Sequence, residues 1–105
     1  MRPILKFDVV ATMDRNAALT AAADALNGAG GWIVDHSLFS DLMAVIRFAL
    51  PGDRLSEFGQ RLADRDLTPD PVPQDGPSSD DVAGILTLTF AQGAGDLRRD
   101  VPAFQ

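Results

Sequence analysis

The chain contains a triplet whose residue types match a hydrolytic triad: Asp35, His36 and Ser37, in the stretch WIVDHSLF at residues 32–39. In a strand, neighbouring side chains point to opposite faces, so we expect Asp35 and Ser37 on one face and His36 on the other. A working triad needs hydrogen-bond contacts of about 2.6 to 3.2 Å between its members. We therefore predict that the triplet is not a triad, and we assign no catalytic residue.

The buried face of this strand is ambiguous in the sequence. Placing Ile33 inward also sends Asp35 inward, whereas placing Trp32 and Val34 inward takes His36 with them. A β-bulge that switches the face within the strand would resolve the conflict. The sequence alone does not show where such a bulge lies.

Composition limits the class of protein. The 105 residues predict one domain covering 1–105, and their 46% hydrophobic content is that of a globular chain. The absence of cysteine excludes disulfides and thiolate chemistry, and we expect no metal and no cofactor. No apolar run approaches the roughly 20 residues of a membrane span, and the start of the chain does not read as a signal peptide. We predict a cytoplasmic protein.

The formal net charge of −6 argues against two classes of partner. Nucleic-acid binding needs a basic face, and a membrane-surface protein needs a basic amphipathic helix; the sequence shows neither. We expect neither partner.

Four segments read as β-strands. In three of them apolar and polar residues alternate, the period-two pattern of a strand with one buried face. These three are residues 4–13, 42–50 and 82–91, and the fourth strand covers residues 32–39.

Two helices are predicted between the strands. The first covers residues 14–28, where Asp14 or Asn16 can accept a hydrogen bond from a free backbone amide. The second covers residues 54–67, and Asp53 can cap it in the same way.

The order strand, helix, strand, strand, helix, strand predicts an α+β fold, the ferredoxin-like βαββαβ plait. Right-handed crossovers would place both helices on one face of a four-stranded antiparallel sheet. The opposite face mixes apolar with polar side chains, a composition that suits an interface. We expect a homodimer in which the partner covers this face or extends the sheet edge. Alternatively, the C-terminal tail at residues 92–105 folds back over the face.

Residues 68–81, TPDPVPQDGPSSDD, form a segment rich in proline and aspartate. Proline cannot donate ladder hydrogen bonds, and the segment has few apolar side chains with which to pack. We predict a mobile surface loop.

Two short stretches resemble the motifs of the ACT domain, a small regulatory plait that in many proteins senses amino acids. The family has an Asp-Arg-Pro-Gly-Leu-Leu type motif after its first strand and a Gly-x-Asn-Ile type motif at the start of its second. The stretches here are DRNAAL at residues 14–19 and GGWI at residues 30–33. Asn16, Ala17 and Trp32 replace the proline, glycine and asparagine of the family.

The resemblance implies a small-molecule-binding, regulatory module that acts as a homodimer and takes an amino-acid-like ligand. In the family, the glycine lets the ligand approach a helix N-terminus, where free amides suit a carboxylate. The ligand-binding residues that it implies here are Asp14, Arg15, Asn16, Ala17, Gly31, Trp32 and Ile33.

Two other functions remain as alternatives. A dimeric ferredoxin-like enzyme would use His36, Asp8 and Arg47 as acid–base and anion-holding groups, but one histidine without cysteine or tyrosine offers few catalytic groups. A structural or interaction subunit would use the acidic segment as its partner contact. We favour the regulatory module, and so a protein that is not an enzyme.

Overall fold

The computed structural model describes residues 4–40 and 42–90, which form a four-stranded sheet with two helices. The strands are β1 (Leu5–Ala11), β2 (Trp32–Ser40), β3 (Met43–Pro51) and β4 (Asp81–Phe90). The helices are α1 (Arg15–Gly28) and α2 (Leu55–Ala63), the second preceded by a 3-10 turn at Gly52–Arg54. The α+β class is confirmed. The predicted tail at residues 92–105 lies outside the described residues.

The sheet order differs from the prediction. It runs β1-β4-β3-β2, with β4 parallel to β1 and antiparallel to β3, and with β2 antiparallel to β3. In the ferredoxin-like plait β1 lies next to β3 in the centre of an antiparallel sheet. The prediction of that antiparallel sheet is therefore wrong: this sheet is mixed, and β1 lies at its edge.

The segment between α2 and β4, residues 64–80, is the physical reason for this difference. After α2 it runs back along the helix, and the Gly76 amide reaches the carbonyl oxygen of Gly52 at 2.8 Å. β4 therefore starts beside the end of β3, where Asp81 pairs with Pro51. The crossover rule behind our prediction applies only when the second strand is parallel to the first.

Residues 68–81 make more contacts than we expected from their composition. Pro69 and Pro73 are buried, and Pro73 packs so closely on Gly59 that a β-carbon there would lie 2.9 Å from the proline ring. Asp75 Oδ1 accepts a hydrogen bond from the Ser56 amide in the first turn of α2, at 2.8 Å. This first-turn bond comes from Asp75 and not from Asp53, the residue that we predicted to cap the helix. The mobility of the segment stays a prediction.

The core lies between one face of the sheet and the two helices. Alternate residues of β1, β3 and β4 are buried, as the period-two pattern predicted. The ring of Phe48 on β3 stacks on Phe7 of β1 at 6.5 Å and contacts Phe58 of α2 at 5.1 Å, measured between ring centroids. These aromatic contacts join the centre of the sheet to α2.

The opposite face of the sheet carries no helix among the described residues. Its side chains are exposed or half-buried and mix apolar with polar groups, as predicted. They are Lys6, Asp8 and Val10 on β1, Met43, Val45 and Arg47 on β3, and Ile85, Thr87 and Thr89 on β4.

Gly84 is the position where we expect a single methyl group to disturb the core. Its β-carbon would collide with the ring of Phe48. We predict that Gly84→Ala lowers the free energy of unfolding by about 1 to 3 kcal/mol, because overpacking shifts side chains that are already close-packed. Thermal unfolding should show a melting temperature lower by roughly 4 °C or more.

The matched control for Gly84→Ala is Ala83→Val. Ala83 is exposed on the neighbouring position of β4, so the added methyl groups meet no core atom. A melting temperature that is unchanged by Gly84→Ala would contradict the close packing of this strand on Phe48.

Candidate functional site

The first group of predicted ligand-binding residues lies at the N-terminus of α1. Asp14 is the N-cap, and its Oδ1 accepts a hydrogen bond from the Ala17 amide at 2.7 Å, so the predicted cap is confirmed. Asn16 and Ala17 are exposed, and Arg15 is half-buried. One amide that a ligand carboxylate would use is therefore already bonded to the Asp14 carboxylate.

The second group lies at the start of β2. A β-carbon on Gly31 would lie 2.6 Å from the carbonyl oxygen of Ala49, so glycine is needed for close packing against β3. Trp32 is paired with Ala49 on the sheet face away from the helices and is 46% exposed. Ile33 is half-buried on the helix face and packs against the core.

One copy of the chain does not bring the two groups together. They lie at opposite ends of α1, whose 14 residues span about 20 Å at a rise of roughly 1.5 Å per residue.

Two register shifts in β2 settle the orientation of the histidine. The pairing with β3 slips between Ile33 and Asp35 and again between Leu38 and Ser40. The first shift places both Ile33 and His36 on the helix face, because they pair with the buried residues Phe48 and Ile46 of β3. The bulge that the sequence required but did not locate is therefore at Val34.

The Asp-His-Ser triplet divides between the two faces as predicted. Asp35 and Ser37 pair with Arg47 and Val45 on the face away from the helices, opposite to His36. Both oxygens of Asp35 accept hydrogen bonds from Arg47, from Nε to Oδ1 and from Nη2 to Oδ2, each at 3.0 Å. The Arg47 guanidinium thereby lowers the pKa of the Asp35 carboxyl below its usual range, although the pair is exposed.

The acid–base trio of the alternative enzyme is not assembled in one copy. Asp8 and Arg47 lie on the face away from the helices, while His36 lies on the helix face. In residues 4–40 and 42–90 there is also no group of three or more histidine, aspartate or glutamate side chains that is placed to hold a metal ion.

Among the described residues, cavities lie between α1 and α2, between α1 and β2, and beside α2 against residues 68–73. The first is lined mostly by charged side chains, and the other two mainly by uncharged ones. The smaller of these other two has a volume of about 160 Å³ and is lined by Leu19, Ile33, His36 and Ile46. The larger, about 300 Å³, lies between α2 and residues 68–73, and its lining side chains, such as Gln60 and Val72, are uncharged.

Of the seven predicted ligand-binding residues, Ile33 is the one that lines the smaller cavity. Alternation in β3 already indicated that Ile46 faces inward. His36 was missed because its face depends on the bulge at Val34, which has no local sequence signal.

The two edges of the sheet differ. The outer side of β1 is bonded to Asp70, whose amide and carbonyl oxygen both pair with the backbone of Asp8 at 2.9 Å. β2 pairs with β3 on one side, and none of the residues described adds a strand on its other side. Of the eight large hydrophobic side chains found exposed in the described chain, half lie on β2: Trp32, Val34, Leu38 and Phe39.

Comparison with known proteins returned no match to a family model, to a curated protein or to a solved structure. Within the described ranges, no helix combines the length and apolar character that crossing a bilayer requires.

The Asp35–Arg47 pair gives a testable pH dependence. We predict that Arg47→Gln raises the pKa of the Asp35 carboxyl toward the ordinary range of an aspartate, because the guanidinium that stabilises the carboxylate is lost. The measurement is an acid titration of the Asp35 side-chain carbon by NMR. Because the folded-state pKa is lowered, the pair stabilises the fold above the ordinary aspartate pKa and loses this effect as the pH falls through the folded value.

The control for this titration is Arg65→Gln, which removes a different exposed ion pair, the one with Asp24. It should leave the pKa of Asp35 unchanged. The same Asp35 pKa in wild type and Arg47→Gln would show that the two side chains do not pair in solution.

Proposed function

We propose that this protein is a small-molecule-binding, regulatory module that acts as a homodimer, in which two copies pair through their β2 edges. The observation that carries the proposal is the edge itself: a nine-residue strand with exposed apolar side chains and a row of backbone groups to which no residue of 4–40 or 42–90 adds a further strand. Such an edge pairs readily with another extended strand.

A second copy is the partner that fits this edge. β2 has none of the lysine or proline residues that commonly block edge pairing, and an identical β2 related by a twofold axis offers the same free edge in the antiparallel direction. When the axis passes near His36 or Ser37, Asp35 of one copy does not lie opposite Asp35 of the other. Each Asp35 is also neutralised by its own Arg47. No like-charge contact opposes the pairing.

Edge pairing also brings the two groups of predicted ligand-binding residues to one end of the extended sheet. The N-terminus of α1 follows β1, whose last residue lies at the same end of the sheet as the last residue of β2, Ser40. In an antiparallel β2 pair, the partner's Trp32 lies near that end. Residues 14–17 of one copy and residues 31–33 of the partner thus come to the same end of the extended sheet, where four strand spacings of about 4.8 Å each separate β1 from the partner's β2.

An amino-acid-like ligand is the class that we propose for this shared site. Asp14 and Arg15 place opposite charges next to each other, as the ammonium and carboxylate of a zwitterion require. The proposal rests on this charge pattern and on the resemblance of residues 14–19 and 30–33 to the ACT motifs, although the sheet order departs from the plait which that resemblance implies.

The test measures assembly and ligand response in the same variants. We predict that the wild type sediments as a dimer of twice the 11.2 kDa chain mass and that one or more of the twenty standard amino acids raise its melting temperature. An amino acid at 100 times its Kd adds about 2.7 kcal/mol. Leu38→Lys should produce a folded monomer without this response, because the charge blocks the edge and separates the two halves of the site.

Two lysine variants are the controls. Val10→Lys changes the open sheet face and Val72→Lys a surface beside α2; Val10 is 61% exposed and Val72 70% exposed. Both should remain dimeric. A dimer that Val10→Lys breaks and Leu38→Lys does not would place the interface on the open face and refute edge pairing. If the protein is a dimer but no amino acid raises its melting temperature, the proposed amino-acid binding is refuted and the proposed edge-paired dimer stands.

A further inference from the structure

The cavity between α1 and β2 has the lining of a binding site that differs from the shared site at the end of the sheet. Its volume is about 160 Å³, and its walls are the aliphatic side chains of Leu19, Ile33 and Ile46 together with the ring of His36. All four lining residues belong to the same copy of the chain, so the cavity does not depend on edge pairing.

Two features of the sequence create this space. The sheet-facing side of α1 is built mainly from alanine, so the helix fills little volume where it lies over the sheet. The bulge at Val34 then turns His36 to the same face as Ile33, where a regular strand would place these two residues on opposite faces. His36 is exposed, so it lies at the mouth, whereas Ile46 is fully buried and forms the floor.

Size and chemistry define the ligand. An enclosed apolar cavity of about 150 Å³ holds a benzene ring, and this cavity offers a similar volume but is open on its His36 side. Three of the four walls are aliphatic, and the ring nitrogens of His36 supply the single polar contact, with which a ligand hydroxyl can form a hydrogen bond. Within residues 4–40 and 42–90, no other ionisable side chain lines the cavity.

We propose that this cavity binds a small ring-bearing alcohol, a phenol or a cyclic alcohol of similar size, with the ring against Leu19, Ile33 and Ile46 and the hydroxyl bonded to His36. The larger cavity beside α2 is a poorer fit for such a ring, because several polar side chains line it and one of its walls is the segment at residues 68–73.

The experiment is a titration of the isotopically labelled full chain with phenol, followed through the methyl signals of Leu19, Ile33 and Ile46 by NMR. We expect saturable shifts centred on these methyl groups. Benzene, which has the same ring without the hydroxyl, should shift the same signals and bind more weakly. Absence of a saturable shift, or shifts centred on Val72 in the larger cavity, would overturn the proposal.

Two variants test the role assigned to each wall. His36→Leu should weaken phenol binding by roughly 2- to 10-fold, the effect of one hydrogen bond, and should leave benzene binding undiminished. Leu19→Trp should fill the space and abolish binding of both, whereas Val72→Trp, at an exposed position beside the larger cavity, should leave both unchanged. Equal loss of phenol and benzene binding in His36→Leu would refute the proposed hydrogen bond.

The proposed alcohol site can be tested independently of the proposed dimer. In Leu38→Lys, the monomeric variant of the edge, phenol should still shift the methyl groups of Leu19 and Ile46. Loss of the amino-acid response together with retained phenol binding would support both sites, and loss of phenol binding in a folded Leu38→Lys would refute a cavity built by one copy.

Discussion

The return of the chain along α2 is the constraint on which the rest of the structure depends. Residues 64–80 run back over the helix and contact it through the bond from the Ser56 amide to Asp75 and through the packing of Pro73 on Gly59. Because of this return, β4 enters the sheet beside β3 and runs antiparallel to it. A direct crossover after α2 would have produced a strand parallel to β3.

The position of β4 determines what each edge of the sheet offers. β1 is displaced to the outside, where Asp70 of the return segment satisfies the backbone of Asp8. The opposite edge is β2, which combines exposed apolar side chains with backbone groups that no other described strand pairs. The same arrangement leaves α1 as a thin alanine-rich cover over the β2 side of the sheet, and the small cavity at His36 follows from it. The proposed interface and the proposed alcohol site therefore have a common structural origin.

The sequence predicted the local structure well where one physical signal dominates. Period-two alternation was sufficient for the inward faces of β1, β3 and β4, and helix-capping chemistry limited the N-cap of α1 to Asp14 or Asn16, of which the structure has Asp14. Sequence-based prediction failed for features that are determined by contacts between residues far apart in the chain. The sheet order depends on how residues 64–80 pack, the face of His36 depends on an irregular pairing at Val34, and the Asp35–Arg47 bond joins residues on two strands. None of these has a signature within a few neighbouring residues.

Residue-resolved hydrogen exchange of the β2 amides over a dilution series tests the central claim, that the free β2 edge pairs with a second copy. We predict that the β2 amides not bonded to β3 are protected at high protein concentration and lose this protection on dilution, while the Asp8 amide, bonded to Asp70 within the chain, keeps the same protection throughout. Fast exchange of those β2 amides at every concentration, with β3 and β4 still protected, would contradict the account.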